Sequence, residues 1–313
     1  MKDLGRGPVL SAPAVLASGN VAEVFDGFIL GQVSVGDVTL RVRHGGDGTP
    51  IVLLHGHPRT HTTWHAVAPR LAEHHAVVAP DLRGYGQSTL PPDEPDHAQS
   101  SKRAMASDVL ALMTHLGHDR FAVAGHDRGA LVAFRTAMDH PEAVTHLAVM
   151  DGLPIIEHLE RADARFAQAW WHWWFLGQTE KPAERVICLD PDAWYSTPAP
   201  AEMGEDNHAD LWAALHEPAV VHGMAEDYRA GLGIDRAHDA ADRAAGRRVA
   251  CPVLLLESAH DDLDIHGNPA SIWAPWLTRP LRHRTIDSGH HQAEQAPDAV
   301  ADALLDFLAA GFR

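Results

Sequence analysis

The sequence predicts an α/β protein in which a mostly parallel central sheet is flanked by helices and interrupted by a helical cap. Short apolar runs, such as residues 51–54 and 121–124, are typical of buried parallel strands, and segments with helical spacing of apolar residues alternate with them. Between residues 155 and 235 the chain is instead rich in Trp, Glu, Pro and Ala. The predicted organisation is a loose N-terminal extension over 1–24, a core over 25–154 and 236–313, and a helical cap over 155–235.

The elements of the core are predicted in alternating order. Strands are expected within residues 33–46, 50–58, 75–84, 121–124, 148–154, 251–262 and 284–287. Helices are expected over residues 100–116, from near Ala130, over 272–277 and over 298–312. In the first of these helices, Met105, Val109 and Leu112 recur at the spacing of one helix face. A parallel sheet covered by helices follows from this alternation.

Composition limits the partners. The chain has 313 residues, with 42 acidic and 25 basic side chains and a formal net charge of −17. Nucleic acid and membrane surfaces are not expected as partners, because both attract basic proteins. Only Cys188 and Cys251 are present, which favours a reducing, cytoplasmic location over a disulfide scaffold. The expected partner is a small-molecule substrate, without metal or organic cofactor, and a homodimer is left open.

A glycine-flanked aspartate lies between a predicted strand and a predicted helix, in the sequence Gly125-His126-Asp127-Arg128-Gly129. A sharp strand-to-helix turn needs glycines where side chains would collide, and it exposes its central residue at the top of the sheet. The helix N-terminus also favours a negative charge there. The alternative is an ordinary turn in which Asp127 only caps the helix. Given the motifs that follow, we predict that Asp127 is a nucleophile.

Two other loops complete a catalytic pattern. The backbone N–H of His57, in the sequence HGHP after an apolar strand, is expected to form an oxyanion hole with that of Arg128. His290 lies between the last predicted strand and the last helix, where it can serve as a base. The turn at 81–88 is interpreted as structural. Nucleophile, acid and base in this chain order are typical of the α/β-hydrolase fold, which we therefore expect.

An aspartate at this turn decides the chemistry. A carboxylate is a poor acyl acceptor in that role, but it can displace a leaving group from a saturated carbon and form an alkyl ester. Water deprotonated by His290 then attacks the ester carbonyl, while the His57 and Arg128 N–H groups stabilise the oxyanion. Carbon–halogen bonds and epoxides are the two substrate classes that suit this scheme.

The combined motifs resemble those of the fluoroacetate (haloacetate) dehalogenases over most of residues 25–310. The motifs are HGHP, DLRGYGQS, GHDRGA, AVMDGLP, WHWWF at 171–175, DYRAG at 227–231 and SGH at 288–290. The resemblance implies that Asp127 is the nucleophile, that His290 is the base and that Asp151 is the acid that orients His290. It therefore also implies the α/β-hydrolase fold with a helical cap.

The same resemblance implies a pocket for the leaving halide. It is made by His172, Trp173 and Tyr228, whose imidazole, indole and phenol groups each offer one hydrogen-bond donor to an anion. Packing within the cap is the alternative role for Trp173 and the one assigned to the neighbouring tryptophans. The sequence thus predicts three leaving-group donors from the cap.

Two positions depart from the dehalogenase pattern. The family holds its substrate carboxylate with two arginines, of which Arg128 is retained while Leu131 occupies the second position. Arg135 lies about 12 Å further along a helix than Asp127, too far to substitute. The pocket is therefore expected to be more apolar than a haloacetate prefers. Asp261 occupies the usual α/β-hydrolase acid position, so it is an alternative to the favoured Asp151.

Three functions compete. The leading hypothesis is a dehalogenase for a small α-halo acid such as a haloacetate. The alternative is an epoxide hydrolase, in which His172 and Tyr228 protonate the opening oxygen and Leu131 suits an uncharged substrate. A catalytically silent ligand-binding scaffold is the third, and it is disfavoured because Asp127, His290 and two acids are all retained.

Overall fold

An eight-stranded sheet forms the centre of the molecule. The computed structural model describes residues 25–310. The strands are β1 (Ile29–Val35), β2 (Val38–Gly45), β3 (Thr49–Leu54), β4 (His75–Pro80), β5 (Phe121–His126), β6 (Val144–Met150), β7 (Val253–Ser258) and β8 (Arg282–Ile286). Their spatial order is β1-β2-β4-β3-β5-β6-β7-β8, and β2 pairs antiparallel with both β1 and β4 while the other pairs are parallel. The predicted α/β class with a mostly parallel sheet is confirmed.

Helices follow the strands and fill the segment between β6 and β7. They are α1 (Ala68–Ala72), α2 (Lys102–His115), α3 (Arg128–Asp139), α4 (Ile155–Glu160), α5 (Ala164–Ala169), α6 (His172–Leu176), α7 (Glu184–Ile187), α8 (Pro191–Tyr195), α9 (Pro200–Met203), α10 (Glu205–Leu215), α11 (Pro218–Ala230), α12 (Arg236–Ala244), α13 (Pro269–Trp273), α14 (Gln292–Gln295) and α15 (Pro297–Ala309). Short 3-10 turns and one π-helical turn, Gly231–Asp235, connect some of them. None of the helices in the described part of the chain has the length and apolar character to cross a bilayer.

Alternate residues of the central strands bury against opposite helical layers, because side chains of a strand point alternately to its two faces. In β3, Val52 and Leu54 join the apolar cluster that contains residues of α2 and α3. Ile51 and Leu53 join a second cluster with residues of α1 and α15. Burial on both faces explains why these strands are continuous apolar runs.

Two predicted elements differ in detail. The first predicted strand, 33–46, is divided into β1 and β2 by a turn in which Gly36 has φ +55, a conformation that favours glycine. The predicted helix at 272–277 is α13 followed by a 3-10 turn over Ala274–Trp276, in which Pro275 lacks the N–H that an α-helix would use.

The cap is the helical segment between β6 and β7. Its aromatic cluster is formed by Phe166, Trp170, Trp173 and Tyr228 with aliphatic neighbours. Helices continue without a strand from α4 to α12, so the cap boundaries at 155 and 235 stay predictions. The predicted N-terminal extension, 1–24, lies outside the described residues.

Candidate active site

Asp127 occupies a sharp turn between β5 and α3. Its backbone has φ +49 and ψ −118, a conformation rarely adopted by residues other than glycine. The two flanking glycines are required for space: a Cβ on Gly125 would overlap the carbonyl oxygen of Gly129, and one on Gly129 would overlap that of His55. A strained backbone held by close packing is common at functional sites. The turn thus presents the carboxylate beyond the carboxyl ends of the strands.

The Asp127 carboxylate faces a cavity of about 240 Å³ between the core and the cap. Core residues His57 and His290 line it from one side, and the cap contributes His172 and Trp173 from the other. A ligand in this cavity would be enclosed by aromatic and imidazole groups, as small-molecule sites commonly are.

Backbone N–H groups surround the Asp127 carboxylate. The N–H of His57 donates to Asp127 Oδ1 at 2.7 Å. The N–H of Arg128 helps to lower the carboxyl pKa. The His57 imidazole is different: burial lowers its pKa to about 3, and its Nδ1 is buried without a hydrogen-bond partner among residues 25–310. The backbone rather than the ring of His57 therefore contacts the carboxylate, as the sequence predicts.

Asp127 and His290 form a close pair of titratable groups. His290 Nε2 lies 3.9 Å from Asp127 Oδ2. Burial raises the pKa of Asp127, but the positive charge of His290 and its neighbours outweighs burial, so the net pKa is lowered. Burial lowers the pKa of His290, but a hydrogen bond to Asp261 and the charge of Asp127 raise it to about 9. The carboxylate is therefore ionised, as a nucleophile must be.

The acid beside His290 is Asp261, whereas Asp151 was favoured from the sequence. His290 Nδ1 donates to Asp261 Oδ2 at 2.7 Å. Asp261 follows β7, and its loop brings the carboxylate to the imidazole directly. The favoured pairing of His290 with Asp151 is thus wrong for this structure, and the alternative acid holds the ring.

Asp151 is close by but is bound by other donors. It accepts hydrogen bonds from Ser258 N at 2.8 Å, from Ser258 Oγ, and from Gln292 Nε2 at 2.7 Å. Burial raises its pKa to about 6 despite these bonds. Three atoms lie within 4.8 Å of one another: a carboxylate oxygen of Asp151, one of Asp261 and a ring nitrogen of His290. Asp151 therefore contributes negative charge near His290 without a hydrogen bond to its ring.

The three predicted leaving-group donors lie together on the cap side of the cavity. His172, Trp173 and Tyr228 all line it. Rings of His172 and Trp173 each lie 6.0 Å from the ring of Tyr228. Burial lowers the pKa of His172 to about 4, so its ring is neutral near pH 7. Within residues 25–310, none of these three side chains forms a hydrogen bond to another protein group. Their imidazole, indole and phenol groups are therefore available to a ligand.

Neither residue predicted to set the polarity of the pocket lines the cavity. Leu131 is buried, at 5% exposure, and is not among the residues that line the cavity. The guanidinium of Arg128 is fully buried and forms an ion pair with Asp227, with Nη2 2.9 Å from Oδ1. It lies over the ring of Tyr228 at 4.2 Å from the centroid. No local pattern in the sequence predicts this pairing, because Asp227 lies 99 residues further along the chain.

Several other residues of the site were missed from the sequence. Trp170, assigned to cap packing, lines the cavity, and its indole N–H donates to Asp262 Oδ1 at 2.7 Å. A second cavity of about 370 Å³ shares Asp262 and Ala169 with the first. His126 donates from Nε2 to the carbonyl oxygen of His290 at 2.7 Å and so holds the loop that carries the base. For Trp170, the one sequence feature that could have indicated a role in the site is its position in a Trp-rich stretch close to His172.

The sheet order, the strained turn that carries Asp127 and the histidine 3.9 Å from its carboxylate are typical of an α/β hydrolase. The model of the α/β hydrolase fold family matches residues 49–297. The chain belongs to this family, and it is an enzyme of the hydrolase class. The expected fold is thereby confirmed.

Individual relatives place the chain near two kinds of hydrolase. It is 40% identical to a fluoroacetate dehalogenase from Burkholderia sp over 91% of this chain and 95% of the relative. It is 32% identical to a soluble epoxide hydrolase from Corynebacterium sp. strain C12 over 84% and 91%. A solved α/β hydrolase from Nostoc sp PCC 7120 has a TM-score of 0.88 and 35% identity, with 92% of this chain and 100% of that chain covered. The resemblance to the haloacetate dehalogenases is confirmed, and epoxide hydrolases are also similar.

Proposed function

We propose that the enzyme hydrolyses a small electrophilic substrate through an ester with Asp127. In the first step a carboxylate oxygen of Asp127 bonds to a saturated carbon, and the bond from that carbon to its leaving group breaks with the electron pair. The N–H of His57, 2.7 Å from Oδ1, fixes the carboxylate for this attack. The product of the step is an alkyl ester of the enzyme.

In the second step His290 takes a proton from water, and the hydroxide attacks the ester carbonyl carbon. The oxyanion that forms is stabilised by the backbone N–H groups of His57 and Arg128. The ester bond then breaks, the departing alkoxide takes the proton held by His290 and leaves as the alcohol, and Asp127 keeps one oxygen from water and loses its proton to solvent. Loss of the Asp127 charge in the ester lowers the pKa of His290, because that charge is one cause of its raised value. The base is thus readied only once the ester exists.

The leading substrate class is a small α-halo acid such as a haloacetate. One observation carries this proposal: three cap donors, His172, Trp173 and Tyr228, line the same cavity as the Asp127 carboxylate. Their side chains form no hydrogen bond to another group within residues 25–310. Donors opposite the nucleophile can solvate a halide as it leaves. The relative that hydrolyses fluoroacetate by name, at 40% identity, supports the same class.

Trapping the ester tests the proposal. The His290→Gln variant is incubated with chloroacetate, and the intact protein and its peptides are weighed by mass spectrometry. We expect a carboxymethyl group on Asp127, because the first step does not need the base. The double variant Asp127→Asn with His290→Gln is the matched control and should gain no mass. An unmodified Asp127 and no halide release by the wild-type enzyme would exclude the haloacid class.

Epoxide hydrolysis is the second candidate, and a separate observation favours it. Among residues 25–310, no lysine or arginine side chain lines the cavity, since Arg128 is paired with Asp227. An uncharged substrate would not need such a cation. In this reaction Asp127 attacks a ring carbon, the carbon–oxygen bond breaks, and the Tyr228 hydroxyl protonates the oxygen before solvent restores its proton. The same His290→Gln variant would then carry a hydroxyalkyl ester.

Comparing the two substrates on one protein separates the candidates. Wild-type enzyme is assayed for halide release from chloroacetate and for diol formation from a small terminal epoxide. Halide release alone supports the dehalogenase, and diol formation alone supports the epoxide hydrolase. The proposed partner is thus a small-molecule substrate. The proposed location is the cytoplasm, because the two cysteines are free, as is usual in a reducing compartment.

A further inference from the structure

Three histidines meet beside the nucleophile, and the proposed reaction uses only one of them. His126 ends β5, and His290 and His291 lie in the loop before α14. The ring of His126 lies 4.7 Å from that of His290 and 5.9 Å from that of His291. One ring nitrogen of each lies within 4.8 Å of one from each of the others. Three convergent imidazoles are a donor set that Zn²⁺ and similar ions bind.

One member of the group has an unused nitrogen. His291 Nδ1 is buried and has no hydrogen-bond partner within the part of the chain that the structure describes. A buried polar atom without a partner is costly, so an ion that accepts its lone pair would be favoured. His291 also lines the cavity, which gives a solute access to it.

The surroundings of His290 fit a metal ligand as well as a base. Its Nδ1–H donates to Asp261 at 2.7 Å, which directs Nε2 toward the cavity. A metal-binding histidine usually gives its second N–H to a carboxylate in this way. Asp127 Oδ2, 3.9 Å from His290 Nε2, adds a negative charge beside the three rings.

We propose that His126, His290 and His291 form an inhibitory binding site for a divalent transition-metal ion of the Zn²⁺ type. Tetrahedral ligands at about 2.0–2.1 Å from zinc lie about 3.4 Å apart, so the rings must close by small rotations. The bound ion displaces the Nε2 proton of His290 into solvent and occupies the lone pair that would otherwise deprotonate water. Hydrolysis of the ester therefore stops while the ion is bound, and a chelator restores it.

Metal binding is tested without reference to activity. Full-length protein is first freed of metal with a chelator. It is then titrated with Co²⁺, with visible absorption as the readout, and in a separate experiment with Zn²⁺ by calorimetry. We expect one equivalent to bind, and His291→Gln to weaken binding at least tenfold. His260→Gln removes an exposed histidine, 69% exposed, outside the cavity and should leave the affinity unchanged.

Each outcome of the titration decides the proposal. No saturable binding, or equal loss in both variants, overturns it. If His291→Gln does not fold, Asp261→Asn replaces it and should weaken binding about tenfold through the lost support of His290. Inhibition by Zn²⁺ of halide release or diol formation is a second arm, which rests on the proposed function. An inactive enzyme that still binds Co²⁺ in the expected manner would therefore contradict the function and not the metal site.

Discussion

At the scale of single residues, the site depends on which groups carry charge. Asp127 is ionised because His290 and backbone N–H groups oppose the effect of burial on its pKa. His290 is held by Asp261, and its pKa of about 9 means that the free enzyme carries a proton there at neutral pH. A proton must therefore leave His290 before it can act as a base.

Asp127→Asn removes the nucleophile while keeping the shape of the side chain. We expect kcat to fall by at least about a thousandfold, because a neutral amide is a poor nucleophile. The rate is measured on freshly purified protein with the substrate that the wild type accepts. Near-normal turnover by a correctly folded variant would rule out the covalent mechanism.

Asp261→Asn and Asp151→Asn compare the two acids by the same substitution. Asp261 raises the pKa of His290 by a direct hydrogen bond, so its loss should lower kcat about a thousandfold and move the acidic limb of the pH–rate profile, where His290 must lose its proton, to lower pH. Asp151 does not bind the ring, and its substitution should cost at least about ten times less. A larger loss in Asp151→Asn would restore Asp151 as the acid.

At this scale the sequence predicted that Asp127 and His290 lie close together but not which groups hold them, and their roles as nucleophile and base stay predictions. Asp127 and His290 lie in local patterns of glycines and strands, which can be recognised in a single chain. Asp151 and Asp261 both follow strands of the same sheet, and only the path of the loop after β7 decides which reaches His290. The pairing of Arg128 with Asp227 joins core and cap and has no local signal.

At the scale of elements, buried charges join the cap to the core. Asp227 in α11 accepts from Arg128 at the start of α3, from Lys102 at the start of α2 and from Tyr85. All four side chains are buried. Charges taken out of water are stable only with their partners, so this contact fixes α11 on the core.

Asp227→Asn should destabilise the protein strongly. Removal of one charge leaves Arg128 buried without its counter-ion and Lys102 with only Asp235, 3.8 Å away, which costs about 3–5 kcal/mol. Denaturant unfolding measures the change. Asp302→Asn breaks an ion pair with Arg70 that is largely exposed, and it should cost less than about 1 kcal/mol. Equal effects of the two substitutions would show that the cap contact is not a buried ion pair in solution.

At the scale of the whole molecule, the sheet was predictable because burial on both faces makes β3, β5 and β7 continuous apolar runs. The edge strands were less predictable. Strand β8 carries mostly exposed polar residues, and its observed bounds, Arg282–Ile286, are shifted from the predicted 284–287. The cap was predicted only as helical, because its short helices are defined by packing around aromatic residues rather than by their own periodicity.

Buried neutral histidines should make the fold sensitive to acid. Burial lowers the pKa of His57 and His158 to about 3 and that of His126 and His172 to about 4, from an ordinary value of 6.5. Between pH 6.5 and 4 the unfolded chain binds protons that the folded chain does not, so stability falls as pH falls. We expect the melting temperature to drop across this window.

His158→Gln supplies the control for that pH dependence. His158 is buried within the cap, is not among the lining residues of the cavity, and its Nδ1 has no partner within residues 25–310. The variant should lose part of the slope of melting temperature against pH between 6.5 and 4. An unchanged slope would show that His158 does not contribute to it.

The ion pairs at Asp227 also bear on how molecules exchange with the interior. Swinging the whole cap away would break, all at once, the ion pairs of Asp227 with Lys102 and Arg128, its hydrogen bond from Tyr85 and the contact of Arg128 with the Tyr228 ring. Substrate and product are therefore expected to enter and leave on the side where the two cavities share Ala169 and Asp262, beside the Trp170 indole. The width of the opening at Ala169 and Asp262, rather than the position of Asp127, would then limit the size of the substrate.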